Sequence, residues 1–135
     1  MGRVICLGTG DPLNAERAQT SLAVRLSREE TALFDASSGT ILLGRLREAS
    51  ISIEEVRHLF VSHRHFDHAG GLAPLLITMA SHPAASLTIH ALPGTLQALR
   101  ELLALTIQAS RTGWGTASTG GSSRPKSRSR WGIRR

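Results

Sequence analysis

The sequence predicts an α/β domain followed by a tail of a different kind. Strand-length apolar or alternating runs recur at 3–8, 20–26, 31–34, 57–62 and 86–91. Apolar residues at helical spacing fill the intervals 39–49, 70–80 and 93–106. Beyond Ser110 the composition turns to Gly, Ser, Thr and Arg, with Trp114, Trp131 and Ile133 the only large apolar residues. Residues 1–110 therefore read as the folded unit. Residues 111–135 read as a disordered basic tail, because they offer too little apolar surface to offset the entropy of ordering.

Taken in order, Arg3–Gly8 is a buried strand that ends in the glycine turn Gly8-Thr9-Gly10. Cys6, on that strand, is expected to be a small buried apolar residue. Residues 20–26 alternate, with Leu22, Val24 and Leu26 on one side and Ala23 and Arg25 on the other, as in a half-buried strand. A turn at 27–30 leads into a hairpin partner, Thr31–Phe34, that ends at Asp35. Ser37-Ser38-Gly39 has the chemistry of a helix N-cap, and Ile41, Leu42, Leu46 and Ala49 follow at helical spacing. Ser52-Ile53-Glu54-Glu55 fits a short capped turn. A strand over 57–62 then delivers the chain to its most distinctive segment. A helix over 70–80 tolerates Pro74 only near its first turn. After the strand at 86–91, the helix 93–106 carries Leu96, Leu99, Leu102 and Leu103 on its apolar side, with Ile107 just beyond.

The formal charge of +6 is not a property of the whole chain. Residues 1–110 hold nine arginines and ten acidic residues, a net of −1; residues 111–135 hold seven basic residues and no acid. No apolar run approaches the ~18 residues of a membrane span, and the N-terminus has no secretory-signal pattern. With one cysteine the chain forms no internal disulfide, and a cytoplasmic location is expected.

The segment after the 57–62 strand reads Ser62-His63-Arg64-His65-Phe66-Asp67-His68-Ala69-Gly70-Gly71. Three imidazoles and a carboxylate within six positions at a strand end are metal-binding chemistry. His63 and His65 can grip one ion from one side, and Asp67 and His68 can face a second. Two such ions about 3.5–4 Å apart can hold a hydroxide nucleophile and clamp a phosphoryl or carbonyl oxygen. A helix starting at Gly70 would point its amino end at the site, and the paired glycines would allow close packing there.

His63-x-His65-x-Asp67-His68 followed by Gly70-Gly71-Leu72 resembles the signature of the metallo-β-lactamase superfamily. Leu7-Gly8-Thr9-Gly10-Asp11-Pro12, Arg17–Val24 and Leu33-Phe34-Asp35 resemble the opening of its ribonuclease Z branch, and Leu87-Thr88-Ile89-His90 with Pro93-Gly94-Thr95 continues the likeness. The resemblance covers roughly 3–107. It implies an αββα sandwich. It implies a first metal on His63 and His65 and a second on Asp67 and His68. Asp67 would also orient or deprotonate the attacking water, and Asp35 would support the motif loop from behind. The implied activity is that of a metal-dependent phosphodiesterase, a tRNA 3′-processing endoribonuclease using a metal-bound hydroxide. The implied cofactor is two Zn2+, with Mn2+ or Fe2+ as alternatives. The implied partner is RNA, as precursor tRNA, or another phosphodiester, with no membrane.

The family completes its site with a later histidine, a metal-bridging aspartate and a final histidine, from the second half of the sandwich. This sequence has no histidine after His90 and no aspartate after Asp67. It reads as the first half of the domain, so two further readings stand beside the nuclease: a truncated, catalytically inactive fragment, or a hydrolase of this fold with a non-nucleic-acid substrate. A half-sandwich exposes one sheet edge and one core face, so poor solubility, a homodimer or a partner chain is expected. His90 and His58 read as ordinary strand residues rather than missing ligands, His82 as a helix-closing cation, and Gly8-Thr9-Gly10 as a plain turn rather than a phosphate cradle. The basic tail reads as solvated rather than RNA-binding.

Overall fold

The computed structural model describes residues 2–107 and 131–134. Among these residues six strands form one sheet in sequence order: β1 (Arg3–Gly8), β2 (Ser21–Arg25), β3 (Thr31–Phe34), β4 (Val56–Phe60), β5 (Leu87–His90) and β6 (Trp131–Arg134). The first three run antiparallel; β3, β4, β5 and β6 run parallel. Parallel neighbours need a crossover. Helix α1 (Ile41–Glu48) lies between β3 and β4, and α2 (Phe66–Ala69) and α3 (Leu72–Ala80) lie between β4 and β5. Helix α4 (Pro93–Thr106) follows β5 with Pro93 in its first turn, where its missing N–H has no helical partner to lose.

Register explains the core. One row across the sheet is Ile5, Ala23, Leu33, Leu59 and Ile89. Of these, Ala23, Leu33 and Leu59 have no exposed surface and Ile89 almost none. They join Leu42 and Leu46 of α1, Leu72, Leu75, Leu76 and Met79 of α3, and Leu96, Leu99 and Leu103 of α4 in one apolar cluster. Each such leucine contributes about 1.5–3 kcal/mol by leaving water. The next row, Cys6, Leu22, Phe34, Phe60 and His90, lies on the opposite face. There Leu22, Phe34 and Phe60 remain 38%, 41% and 37% exposed. Phe34, Phe60 and His90 stack in a column, with ring centroids 4.8 and 4.3 Å apart. Helices cover one face of the sheet, and among the described residues no layer covers the other, as expected for half a sandwich.

Several expectations change in detail. Cys6 is exposed, because β1 is an edge strand and Cys6 is on its uncovered side. On β2 the covered residue is Ala23, not the larger Leu22. The predicted cap at Ser37-Ser38-Gly39 does not form: α1 has Thr40 at its N-cap with no side-chain bond. Ser37 and Gly39 instead take left-handed φ values of 52° and 51°, and Ser38 Oγ donates to Gln19 Oε1. The helix predicted over 70–80 is α3, starting two residues later at Leu72, and a separate short helix that was not predicted, α2, precedes it and closes at Ala69. Asp67 and His68 thus sit on a helical turn, and the helix end at the motif is that of four-residue α2.

The capped turn is present, with Ser52 and Glu55 bonded reciprocally. Met79 is core, and His82 Nδ1 lies 2.9 Å from the Thr78 carbonyl of the helix it closes. The glycine turn serves chain packing: a Cβ on Gly8 would lie 2.1 Å from the Gln19 carbonyl oxygen. Of the tail, Trp131–Arg134 adds a strand beside β5 where composition predicts disorder; β-prone Trp131 and Ile133 alternate there, and the parallel edge of β5 offers backbone partners. The rest of the tail expectation, 111–130 and 135, lies outside the described residues.

Candidate metal centre

The motif loop is placed by backbone bonds among three segments. After β3 the chain turns at Asp35 with φ 59°, and again at Ser37. Aspartate tolerates this left-handed region better than most side chains. Asp35 N–H donates to Phe60 O at 2.8 Å, and Ser21 Oγ donates to Asp35 O at 2.8 Å. Ala36 N–H donates to His68 O at 2.6 Å, and Gly71 N–H to Ser37 O at 3.2 Å. A Cβ on Gly71 would stand 2.0 Å from Ala36 O, so only glycine lets α3 begin this close to the Asp35 turn.

Asp35 is the hub of the side chains. Its carboxylate accepts from Ser62 N–H at 2.7 Å and from Ser62 Oγ at 2.8 and 2.9 Å. His68 Nδ1 lies 2.7 Å from Asp35 Oδ2 and donates to it, since a carboxylate can only accept. His68 Nε2 is then a bare lone pair. Ser62 Oγ, its proton committed to Asp35, accepts from His63 Nδ1 at 3.0 Å, which leaves His63 Nε2 bare as well. One buried carboxylate thereby sets the tautomers of two imidazoles, directly and through one hydroxyl.

Each of these two nitrogens has one close polar neighbour in the motif. His63 Nε2 faces His65 Nδ1 at 3.1 Å. His68 Nε2 faces Asp67 Oδ2 at 3.2 Å, with the two side chains only 19% and 14% exposed. Two acceptors that close repel unless a cation or proton lies between them. An ion about 2.0–2.2 Å from each donor, at an angle of about 90–110°, sets donors about 2.9–3.5 Å apart. Each pair fits two positions of one ion. Among the described residues no group of three or more His, Cys, Asp or Glu is gathered around a single ion position. The chain brings all five expected residues, Asp35, His63, His65, Asp67 and His68, into one place, with four of them arranged as two close pairs. His90 Nε2 is turned toward His58.

Ser62 is the residue sequence reasoning left without a role. Its position directly before the first histidine, at a strand end, was the available signal. Beside the motif loop lies an apolar cleft of about 350 Å³ lined by Phe34, Asp35, Phe60, Ser62, His90 and Leu92. Among the described residues no helix is long and apolar enough to cross a membrane.

A family profile described as "Anti-Pycsar protein Apyc1" matches residues 3–117. A curated relative named ribonuclease Z, from Halorubrum lacusprofundi, is 41% identical over 104 residues, covering 75% of this chain and 32% of its own length. The structure of human tRNase Z, short form, is similar with a TM-score of 0.65 and 25% identity, covering 78% of this chain and 40% of that one. The metallo-β-lactamase fold protein YhfI from Bacillus subtilis has a TM-score of 0.61 at 19% identity, a likeness of fold alone, covering 75% of this chain and 42% of that one. The chain spans about a quarter to a third of the length of the curated relatives it matches. The fold is accordingly that of metallo-β-lactamase proteins over part of their domain.

Proposed function

Because the chain belongs to the family described as anti-Pycsar protein Apyc1, and is a ribonuclease Z-like member of the metallo-β-lactamase superfamily, we propose that it carries the motif half of a metal-dependent phosphodiester hydrolase. Its substrate is RNA, precursor tRNA in the first instance, and its ions are two Zn2+, with Mn2+ or Fe2+ able to replace them. The observation that supports this most is the pairing of metal-capable atoms, His63 Nε2 with His65 Nδ1 and Asp67 Oδ2 with His68 Nε2.

Bound divalent ions would supply Lewis acidity, making a ligated water acidic enough to attack near neutral pH and neutralising charge on a phosphoryl oxygen. The chain's own residues do the rest. His63 and His65 hold one ion, and Asp67 and His68 the other. The Asp67 carboxylate, on the first turn of α2, would orient the attacking water and accept its proton. Asp35 and Ser62 keep His63 and His68 in the tautomers that present Nε2.

The same pairing favours a second reading. With two donors per ion, this chain alone is catalytically silent, and ligands from a partner chain or a second copy complete the site. Zinc analysis of the purified chain, with turnover of bis(p-nitrophenyl) phosphate and a precursor tRNA, separates the two. Zinc with turnover that Asp67→Ala abolishes supports the hydrolase; zinc without turnover supports the silent half. No zinc uptake even after refolding with metal refutes both. A cytoplasmic location belongs to this proposal too.

A further inference from the structure

A second set of imidazoles lies on the uncovered face of the sheet. His58 Nδ1 faces His90 Nε2 at 3.1 Å, the separation found between His63 Nε2 and His65 Nδ1. The other nitrogen of His58, Nε2, lies 3.3 Å from Glu30 Oε1. We infer that His58 and His90 form a separate two-histidine site for a late first-row divalent ion such as Ni2+, Cu2+ or Zn2+.

Three features carry the assignment. Glu30 accepts from His58 Nε2–H, and this fixes the tautomer whose Nδ1 is a lone pair. A carboxylate holding the far side of an imidazole is the usual backing of a metal-bound histidine. The ring of His90 is held independently, stacked on Phe60 at 4.3 Å and 11° from parallel. The 3.1 Å separation suits two nitrogens about 2.0–2.1 Å from one ion at an angle close to 100°. The sheet register produces this arrangement. His58 pairs with Thr88 and Phe60 with His90 on parallel strands, so the two histidines are diagonal neighbours on one face. The His58 side chain is 33% exposed and reachable from solvent. Two imidazoles with water completing the shell follow the general order of affinity, Cu2+ above Ni2+ and Zn2+.

The test is Ni2+ titration by calorimetry, with the chain carrying His63→Gln and His65→Gln as the reference so that the first motif pair is absent. The reference should bind Ni2+, and adding His90→Gln or His58→Gln should weaken binding at least tenfold. Glu30→Gln should weaken it severalfold without touching a ligand. Far-UV circular dichroism of each metal-free variant checks the fold. Imidazole 15N shifts of the unmodified chain under Zn2+ give a reading that needs no variant: His58 Nδ1 and His90 Nε2 should move as ligated nitrogens do. Superimposable Ni2+ titrations with and without His90, or unmoved shifts at those two nitrogens, overturn the assignment. Neither readout involves hydrolysis, so the result stands apart from the proposed function.

Discussion

Gly71→Ala should damage this protein more than its size suggests. The added Cβ would sit 2.0 Å from Ala36 O, about 1 Å inside the 3.0 Å that real Cβ atoms respect, and the obstacle is backbone rather than a movable side chain. Relief requires the Asp35–Ser37 turn and the start of α3 to separate. That strains the bonds Ala36 N–H to His68 O and Gly71 N–H to Ser37 O. Overpacking of about 1–3 kcal/mol and two weakened hydrogen bonds at about 0.5–1.5 kcal/mol each bring the loss to about 2–6 kcal/mol. The assay is urea unfolding followed by far-UV circular dichroism, where this loss lowers the midpoint by about 1–3 M. Zinc affinity measured alongside should fall too, because His68 moves with the turn. Gly44→Ala is the matched control: it lies inside α1 with nothing within 4 Å of its Cβ, and should gain about 0.5–1 kcal/mol. A Gly71→Ala loss below about 1 kcal/mol would refute the argument from close approach.

Further outcomes follow from other contacts. Asp35→Asn keeps a residue suited to φ 59° but removes the charge that orders His68 and Ser62, so zinc affinity should drop about 10–100-fold by competition with a chelating dye. Asp35→Ala should lose that affinity and also about 1–2 kcal/mol of stability, from the unfavourable backbone. Ser52→Ala removes a reciprocal cap and should cost about 0.5–2 kcal/mol by thermal melting, with no change in zinc uptake. The uncovered face should drive association; Phe34→Ser and Phe60→Ser should each weaken it about tenfold or more by sedimentation velocity. An unmodified chain that stays monomeric at high concentration would count against that face as a contact surface.

The fold was legible where one signal decided it. Helix α4 falls on the predicted residues because Pro93 marks its start and leucines recur along it. The β2–β3 hairpin follows from its alternation. Alternation does not say which side will be covered, so Leu22 and Cys6 were open to misassignment; in each case the answer depends on where the helices dock. The Asp35–Ser37 turn was invisible for a similar reason. Serines before an apolar run look like a cap, yet the left-handed backbone at Asp35 and Ser37 is held by long-range bonds from Asp35, Ala36 and Ser37 to Phe60, His68 and Thr20. The motif was plain as spacing. What spacing could not give was the route from Asp35 through Ser62 to His63, since those residues are 27 and 28 positions apart in sequence. The His58–His90 pair was hidden the same way: the two are 32 positions apart, and only parallel register brings them together.

The knot at Asp35 also determines what a metal ion can do for this protein. In small zinc domains the ion is the core, and its binding energy is folding energy. Here the turn after β3, the end of β4 and the start of α2 are already joined by bonds that involve no ion, and the leucine core lies behind them. An ion bound there would therefore meet a formed cradle and lose little to ordering the chain. Its free energy would be left for selecting among ions, and loading and unloading would not require passage through an unfolded state.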